Sequence, residues 1–289
     1  MPGVYFDRVR FEELEQDYLT YYQEERKGKA LWRVEISMNH LKTHFAGMRA
    51  TDMNTATVRT YIAARRKDEV SDSTINREIA LLRAMLRLGM KCDPPKVARV
   101  PHMPKLKESA PRTGFLERGE YQTLLEALSS DLQPVLTFGY HTGWRKGEIL
   151  GLTWDKVDLK AGTVRLDPGT TKNDQGRVIF LNSELRDVLK GQLTNRRLGC
   201  PYVFHREGKY IKDFRGAWET ACKKAGLAGR LFHDLRRTAV RNSVRAGIPE
   251  RVCMALSGHK SRSVFDRYNI VSLDDLKEAA SRQEAYLRG

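Results

Sequence analysis

Disulfide chemistry is the first thing this sequence lacks. Its four cysteines, Cys92, Cys200, Cys222 and Cys253, are scattered along 289 residues with no CxxC pair. That excludes a disulfide framework and a cysteine-rich zinc site, and leaves the reduced thiols of a cytosolic protein. No apolar run is long enough to span a bilayer, and no basic cluster flanks one, so neither a membrane span nor a membrane-surface anchor is expected. The opening MPGVYFDRVRFEELEQDYL has no apolar core followed by a small-residue cleavage site, so a secretory signal is not expected either. Repeats and low-complexity tracts are missing. Acid is the last shortage: 36 Asp and Glu stand against 51 Lys and Arg, a formal charge of +15. That surplus exceeds what solubility needs and points to a polyanionic partner.

What is present suits two domains of ordinary size, since 40% of the residues are hydrophobic and can build cores. Over residues 1–93 the apolar positions recur at helical spacing: Phe11, Leu14, Tyr18 and Tyr21; Val34, Met38, Leu41 and Phe45; Val58 and Ile62; Ile75, Ile79, Leu82 and Leu86. Four amphipathic helices with short polar connections predict a small helical bundle. Residues 94–112 hold five of the ten prolines, mixed with Lys96, Arg99, Lys105 and Lys107. Proline resists helix and removes donors, so this stretch reads as an extended basic linker, either a solvated tether or a strand lying along phosphates. Residues 113–289 are mainly helical but carry two β-rich pieces, GTVRL and GRVIFL, joined by the polar turn DPGTTKNDQ. The fold class is therefore mainly α with a small antiparallel sheet, α+β.

Several residues of this second region carry chemistry. In RLFHDLRRTAVRNS, His233 and Arg236 lie three apart at a helix start and share one face, while Leu235, Val240 and Val244 supply the inward one. Asp234 and Arg237 are expected to face away, toward solvent or a structural partner. Donors paired at a helix start suit an anion. In HTGWRKGEILGL, Arg145 and Glu148 can pair at i and i+3, although a surface salt bridge is the ordinary reading of such a pair. Lys172 sits in the turn between the two strands, where most lysines are merely solvated. Gly258 makes the turn in LSGHKS before His259, and Tyr268 closes SVFDRY. A histidine at a helix start is ordinarily a cap, and a tyrosine ordinarily packs. Together they form an inventory with one use. Two guanidiniums can clamp the non-bridging oxygens of a phosphodiester, and a tyrosine can act as an oxygen nucleophile. The histidines can accept its proton or hold the phosphate, and the lysine can protonate the leaving oxygen. The set fits metal-free phosphoryl transfer to tyrosine, with no cofactor and no metal expected.

Arg145 in TGWRKGE, Lys172 in the β-turn, HDLRRT, SGHKS and then Tyr268, in that order, resemble the tyrosine recombinase (phage integrase) family over nearly the whole chain. The resemblance implies a helical core DNA-binding domain followed by a catalytic domain, closing on duplex DNA as a C-shaped clamp. Arg145, His233, Arg236 and His259 would bind and activate the scissile phosphate, Lys172 would be the general acid, Tyr268 the nucleophile, and Glu148 would brace Arg145. Lys172 is chosen over the neighbouring cation Arg177 because it follows TT at the strand end. Cleavage would leave a 3′-phosphotyrosyl link and a free 5′-hydroxyl. The partners implied are double-stranded DNA at recombination sites, further copies forming a homotetramer on two sites, and accessory DNA-bending or directionality factors. The setting implied is a bacterial cytoplasm, at the nucleoid. SGHKSRSVFDRYNIV is similar to integrases of phages and mobile elements. Few residues precede RFEELEQDYL, so either no arm-binding domain is used or the chain is shortened at its start. The last helix, with Leu276, Ala280 and Leu287 on one side, packs either on its own domain or, as the family implies, on a neighbouring copy. A chromosome-dimer resolving recombinase and a type IB topoisomerase stand as alternatives. A non-catalytic DNA-binding descendant would lack a member of the set, and none is missing.

Overall fold

The computed structural model describes residues 7–26, 30–109, 114–169, 176–266, 268 and 273–288. They divide into two compact units, Met1–Ala110 and Pro111–Gly289, each with its own apolar core.

The first unit holds four helices, α1 (Phe11–Arg26), α2 (Leu31–Phe45), α3 (Thr55–Lys67) and α4 (Asp72–Met90). Side chains start two of them. Asn54 Oδ1 accepts from the Ala56 and Thr57 amides at 2.8 and 3.2 Å, while Thr57 Oγ1 accepts from the Asn54 amide at 2.9 Å. Ser71 Oγ accepts from the Thr74 amide at the head of α4. Both satisfy amides that the first helical turn leaves without partners. Most of the apolar positions expected to face inward are buried, among them Phe11, Leu14, Met38, Leu41, Phe45, Val58, Ile75 and Leu82. Tyr21 is exposed instead, because the apolar packing of α1 ends at Tyr18 and Leu19.

The proline-rich stretch is extended but does not hang free. Val97 and Met103 are part of the first unit's core. Lys96 Nζ bonds Asp17 at 2.7 Å and Glu13 at 2.9 Å. Asn76 grips Leu106 through both its amide atoms, each at 2.9 Å, and Arg83 donates to the Met103 carbonyl at 2.9 Å. An extended backbone makes no internal ladder, so its polar groups take partners from the helices it crosses. The contact boundary consequently falls at Ala110, near the end of the stretch read as a linker.

The second unit opens with α5 (Arg118–Ala127), α6 (Gln133–Thr142) and α7 (Lys146–Leu150), then β1 (Val157–Asp158), β2 (Thr163–Leu166) and β3 (Arg177–Phe180). The three strands form one antiparallel sheet in that order, with Val164 opposite Ile179 and Leu166 opposite Arg177. After α8 (Ser183–Thr194) comes a two-stranded ribbon, β4 (His205–Arg206) and β5 (Lys209–Tyr210). Helices α9 (Arg215–Lys224), α10 (Asp234–Arg245), α11 (Glu250–Ser257), α12 (Arg262–Phe265) and α13 (Leu273–Arg288) complete it. The fold is thus mainly helical with a small antiparallel sheet. Helices α6 and α10 meet at Gly139, where a Cβ would lie 3.0 Å from Leu235 Cδ1. Leu235 and Val240 are buried there. On α13, Leu276, Ala280 and Leu287 are all exposed, so the helix does not bury this side within its own unit. No helix among the described residues is long and apolar enough to cross a membrane.

One buried charge tests the first unit. Glu78, 1% exposed, accepts from the Tyr61 hydroxyl at 2.7 Å and from Arg65 at 2.9 and 3.1 Å. Glu78→Ala leaves a buried guanidinium and phenol short of their acceptor, and should lower stability by about 3 kcal/mol. Urea denaturation of the variant beside the unchanged chain measures this directly.

Candidate active site

All the described members of the expected set lie in the second unit. The turn TGWRKGE sets the first arginine. Gly143 closes α6 at φ +63°, its amide donating to the Gly139 carbonyl at 2.9 Å. A Cβ there would lie 3.0 Å from Ala239 Cβ, so both the left-handed backbone and the close approach to α10 call for glycine. Arg145 then caps α7. Its amide donates to Glu148 Oε2 at 3.0 Å and its Nη1 to Glu148 Oε1 at 2.7 Å. The expected pair is made, but Glu148 is buried, which is not the surface salt bridge of the ordinary reading.

Helix α10 delivers Arg236 from its first turn. The side chain is 2% exposed. Its Nη1 donates to the Gly143 carbonyl at 2.8 Å and its Nη2 to His259 Nε2 at 3.2 Å. Arginine has no acceptor, so Nε2 must accept and the His259 proton resides on Nδ1. That proton goes to Ser257 Oγ, 2.7 Å away, and Ser257 donates onward to the Cys253 carbonyl at 2.6 Å. Burial, followed by the charges of Arg236 and Arg145, pushes the His259 pKa down to about 3. Burial and Arg145 also lower Arg236, to about 10, which leaves it protonated at neutral pH.

His233 occupies the N-cap position of α10 but makes no capping bond. Its Nε2 lies 3.0 Å from the Tyr268 hydroxyl. Desolvation by the surrounding protein, then the charges of Arg236 and Arg237, push its pKa down and favour the neutral ring. Tyr268 packs against the small cluster of Val240, Cys253 and Phe265, with the His259 ring 4.7 Å away. The guanidinium carbons of Arg236 and Arg237 sit 5.8 and 5.6 Å from the Tyr268 ring centre. Arg237 therefore does not face away, as its spacing suggested. It pairs with Asp234 at 3.3 Å and borders the tyrosine. Asp234 does take a structural partner: it is buried and accepts from the Leu231 amide at 2.9 Å.

Lys172 lies outside the described residues. Arg177, the neighbouring cation weighed as its alternative, is held elsewhere. It begins β3 on the inward face, buried, with Nη2 2.7 Å from Glu148 Oε2 and Nη1 2.7 Å from the Ser257 carbonyl. Strand alternation in RVIF was the signal available, because it puts Arg177 and Ile179 on the same buried face. Ser257 has no comparable signal, since its role depends on where His259 folds. Among the described residues no group of three or more His, Cys, Asp or Glu side chains is arranged to hold a metal ion. What is arranged is a cluster of arginines and neutral histidines around one phenol, suited to an anion that a phenolic oxygen can attack.

A mainly helical unit with a small sheet and this cluster has the features of a tyrosine recombinase catalytic domain. Residues 114–273 match the phage integrase family, and the chain belongs to it. The integrase of Salmonella phage P22 is 30% identical over 214 residues, which cover 70% of this chain and 54% of that protein. The chain thus spans about half the length of that relative. Tyrosine recombinase XerC of Thermodesulfovibrio yellowstonii is 25% identical over 279 residues, covering 88% of this chain and 90% of that one. The fold is shared with a lambda integrase tetramer bound to a Holliday junction, at a TM-score of 0.75 and 15% identity, covering 92% of this chain and 79% of that one.

The His259 geometry has a spectroscopic consequence. Nitrogen NMR of the imidazole should show a neutral ring with its proton on Nδ1, held from neutral pH down to about pH 4. The unfolded chain takes up this proton near 6.5 and the folded one only near 3. The contribution of His259 to stability is therefore intact above 6.5 and is lost as the pH falls toward 3. A titration midpoint near 6.5 in the folded protein would contradict the packing.

Proposed function

We propose that the protein is a site-specific DNA recombinase that cleaves and rejoins duplex DNA through a 3′-phosphotyrosyl link, integrating or excising a phage or other mobile element. The observation that carries this reading is the Tyr268 hydroxyl 3.0 Å from His233 Nε2, beside Arg236 and His259, in a chain of the phage integrase family. On this reading Arg145 and Arg236 neutralise the non-bridging oxygens as charge develops on them, and His233 and His259 complete the phosphate site. The Tyr268 oxygen attacks phosphorus, and its bond forms as the bond to the 5′-oxygen breaks. A neutral His233 with its proton on Nδ1 accepts the phenolic proton at Nε2. Lys172 protonates the leaving 5′-oxygen. Glu148 holds Arg145 in place. The phosphodiester energy stays in the tyrosyl link, so a 5′-hydroxyl from a second duplex reverses the step without a cofactor.

Double-stranded DNA is the partner, and the +15 charge supports it. The working assembly is a homotetramer on two recombination sites, the stoichiometry of the lambda integrase assembly on a Holliday junction. The exposed Leu276 and Leu287 of α13 are apolar surface that a neighbouring copy would cover. Accessory DNA-bending or directionality factors are candidate partners, and the bacterial nucleoid is the setting. A chromosome-dimer resolving role is the second reading, supported by the match to 90% of a XerC chain.

A covalent trap tests the chemistry. Duplexes carrying a nick that releases the short cleaved product should accumulate protein-linked DNA sharing one sequence. Tyr268→Phe should bind the same DNA and form no adduct; an undiminished adduct would move the nucleophile elsewhere. Arg236→Ala should slow cleavage by about 100-fold or more. Lys172→Ala should also be slow and should recover on a substrate with a bridging 5′-thiolate, a leaving group that needs no proton.

A further inference from the structure

We infer that Arg177 is a positioning residue of the same site, a rigid spacer that fixes Arg145 and His259 relative to each other; the inference rests on the recombinase reading. Its guanidinium is bonded at both ends. Nη2 meets Glu148 Oε2 at 2.7 Å, and the other oxygen of that carboxylate holds Arg145 Nη1 at 2.7 Å. Nη1 donates at 2.7 Å to the carbonyl of Ser257, the residue whose Oγ holds His259 Nδ1. Arg177 is thus one residue removed from each of two groups assigned to the phosphate. The side chains of Arg177 and Glu148 are only 6% and 5% exposed, so little water is at hand to replace these bonds. A planar fork with donors at fixed separation sets a distance that a flexible ammonium does not.

The surroundings are shaped to this guanidinium. Its carbon lies 5.5 Å from the centre of the Trp144 ring. Gly258 closes α11 at φ +71°, and a Cβ there would come within 2.5 Å of Arg177 Nη1. The turn before His259 therefore requires glycine both for its backbone conformation and for the approach of this side chain. Lysine at 177 would keep the charge and much of the volume but would reach Glu148 or Ser257, not both.

The test is single-turnover cleavage of the nicked duplex at saturating protein, so that affinity drops out, with DNA binding and thermal unfolding recorded alongside. Arg177→Lys should fold and bind DNA as the unchanged chain does, yet cleave about 10- to 100-fold more slowly, the effect of a misplacement of about an ångström. The His259 nitrogen resonances should move in the same variant, which a purely stabilising role does not require. Adding Glu148→Gln to Arg177→Lys should cost no more than the slower single change, because both act along one chain of contacts. Cleavage at the original rate with unmoved His259 resonances would overturn the inference, and so would multiplying effects in the double variant. If Arg177→Lys fails to fold, Gly258→Ala takes its place: slowed cleavage supports the inference, and an unchanged rate overturns it. Should the unchanged chain form no adduct, the recombinase reading fails; an adduct formed equally by both chains sinks only the role of Arg177.

Discussion

A carboxylate buried between two arginines is the interaction on which the rest of the second unit depends. Arg145, Arg177 and Arg236 bring three guanidiniums into a region where water is scarce, and their mutual repulsion there is far stronger than at a surface. Glu148 is the countercharge. Burial by itself would push its pKa up, but the Arg145 amide and the two guanidiniums outweigh burial and hold it below the usual carboxylate range. One anion thus lets two cations coexist, and because it also caps α7, the charge pairing and the helix start are the same structure.

The two histidines divide along similar lines. His259 is locked: an arginine on one nitrogen and a serine on the other assign its proton, and the field around it keeps the ring neutral. His233 shares the pressure toward neutrality but faces the phenol. Two side chains of the same type, in one site, are separated by their partners rather than by their intrinsic acidity. Arg237 adds a second guanidinium beside the tyrosine ring, so Tyr268 sits among cations while its backbone is anchored by the Phe265 carbonyl at 2.8 Å.

The first unit meets a different constraint, that of housing an extended stretch beside a small bundle. Its solution is a pair of α4 side chains, Asn76 and Arg83, that reach the passing backbone, and a lysine of the stretch itself, Lys96, that pairs with the α1 carboxylate of Asp17. Bundle and proline-rich segment are consequently one packed body, with Val97 and Met103 contributing to its core.

The helices, the small sheet and the surplus of positive charge are legible in the sequence, and so are candidates for most of the site. Apolar spacing is a local property, and α1 to α4 follow it apart from Tyr21. The cap chemistry of Asn54, Ser71 and Gly143 is equally local. Arg145, His233, Arg236, His259 and Tyr268 stood out as candidates through their combination and order, since each alone has an ordinary reading. Tertiary structure alone decided what those residues touch. Arg236 reaches the Gly143 carbonyl across 93 positions and Arg177 the Ser257 carbonyl across 80, separations at which no periodicity survives. Arg177 stands in the β-rich piece GRVIFL and shares a strand face with Ile179, but only the fold shows that this face carries its guanidinium to Glu148 and Ser257. The proline-rich stretch read as an extended linker with its partners left open, because proline specifies an extended path while the partners that path will meet depend on helices elsewhere in the chain. Local conformation is set by neighbours in sequence, whereas the role of a charge is set by the dielectric and the countercharges that folding brings to it.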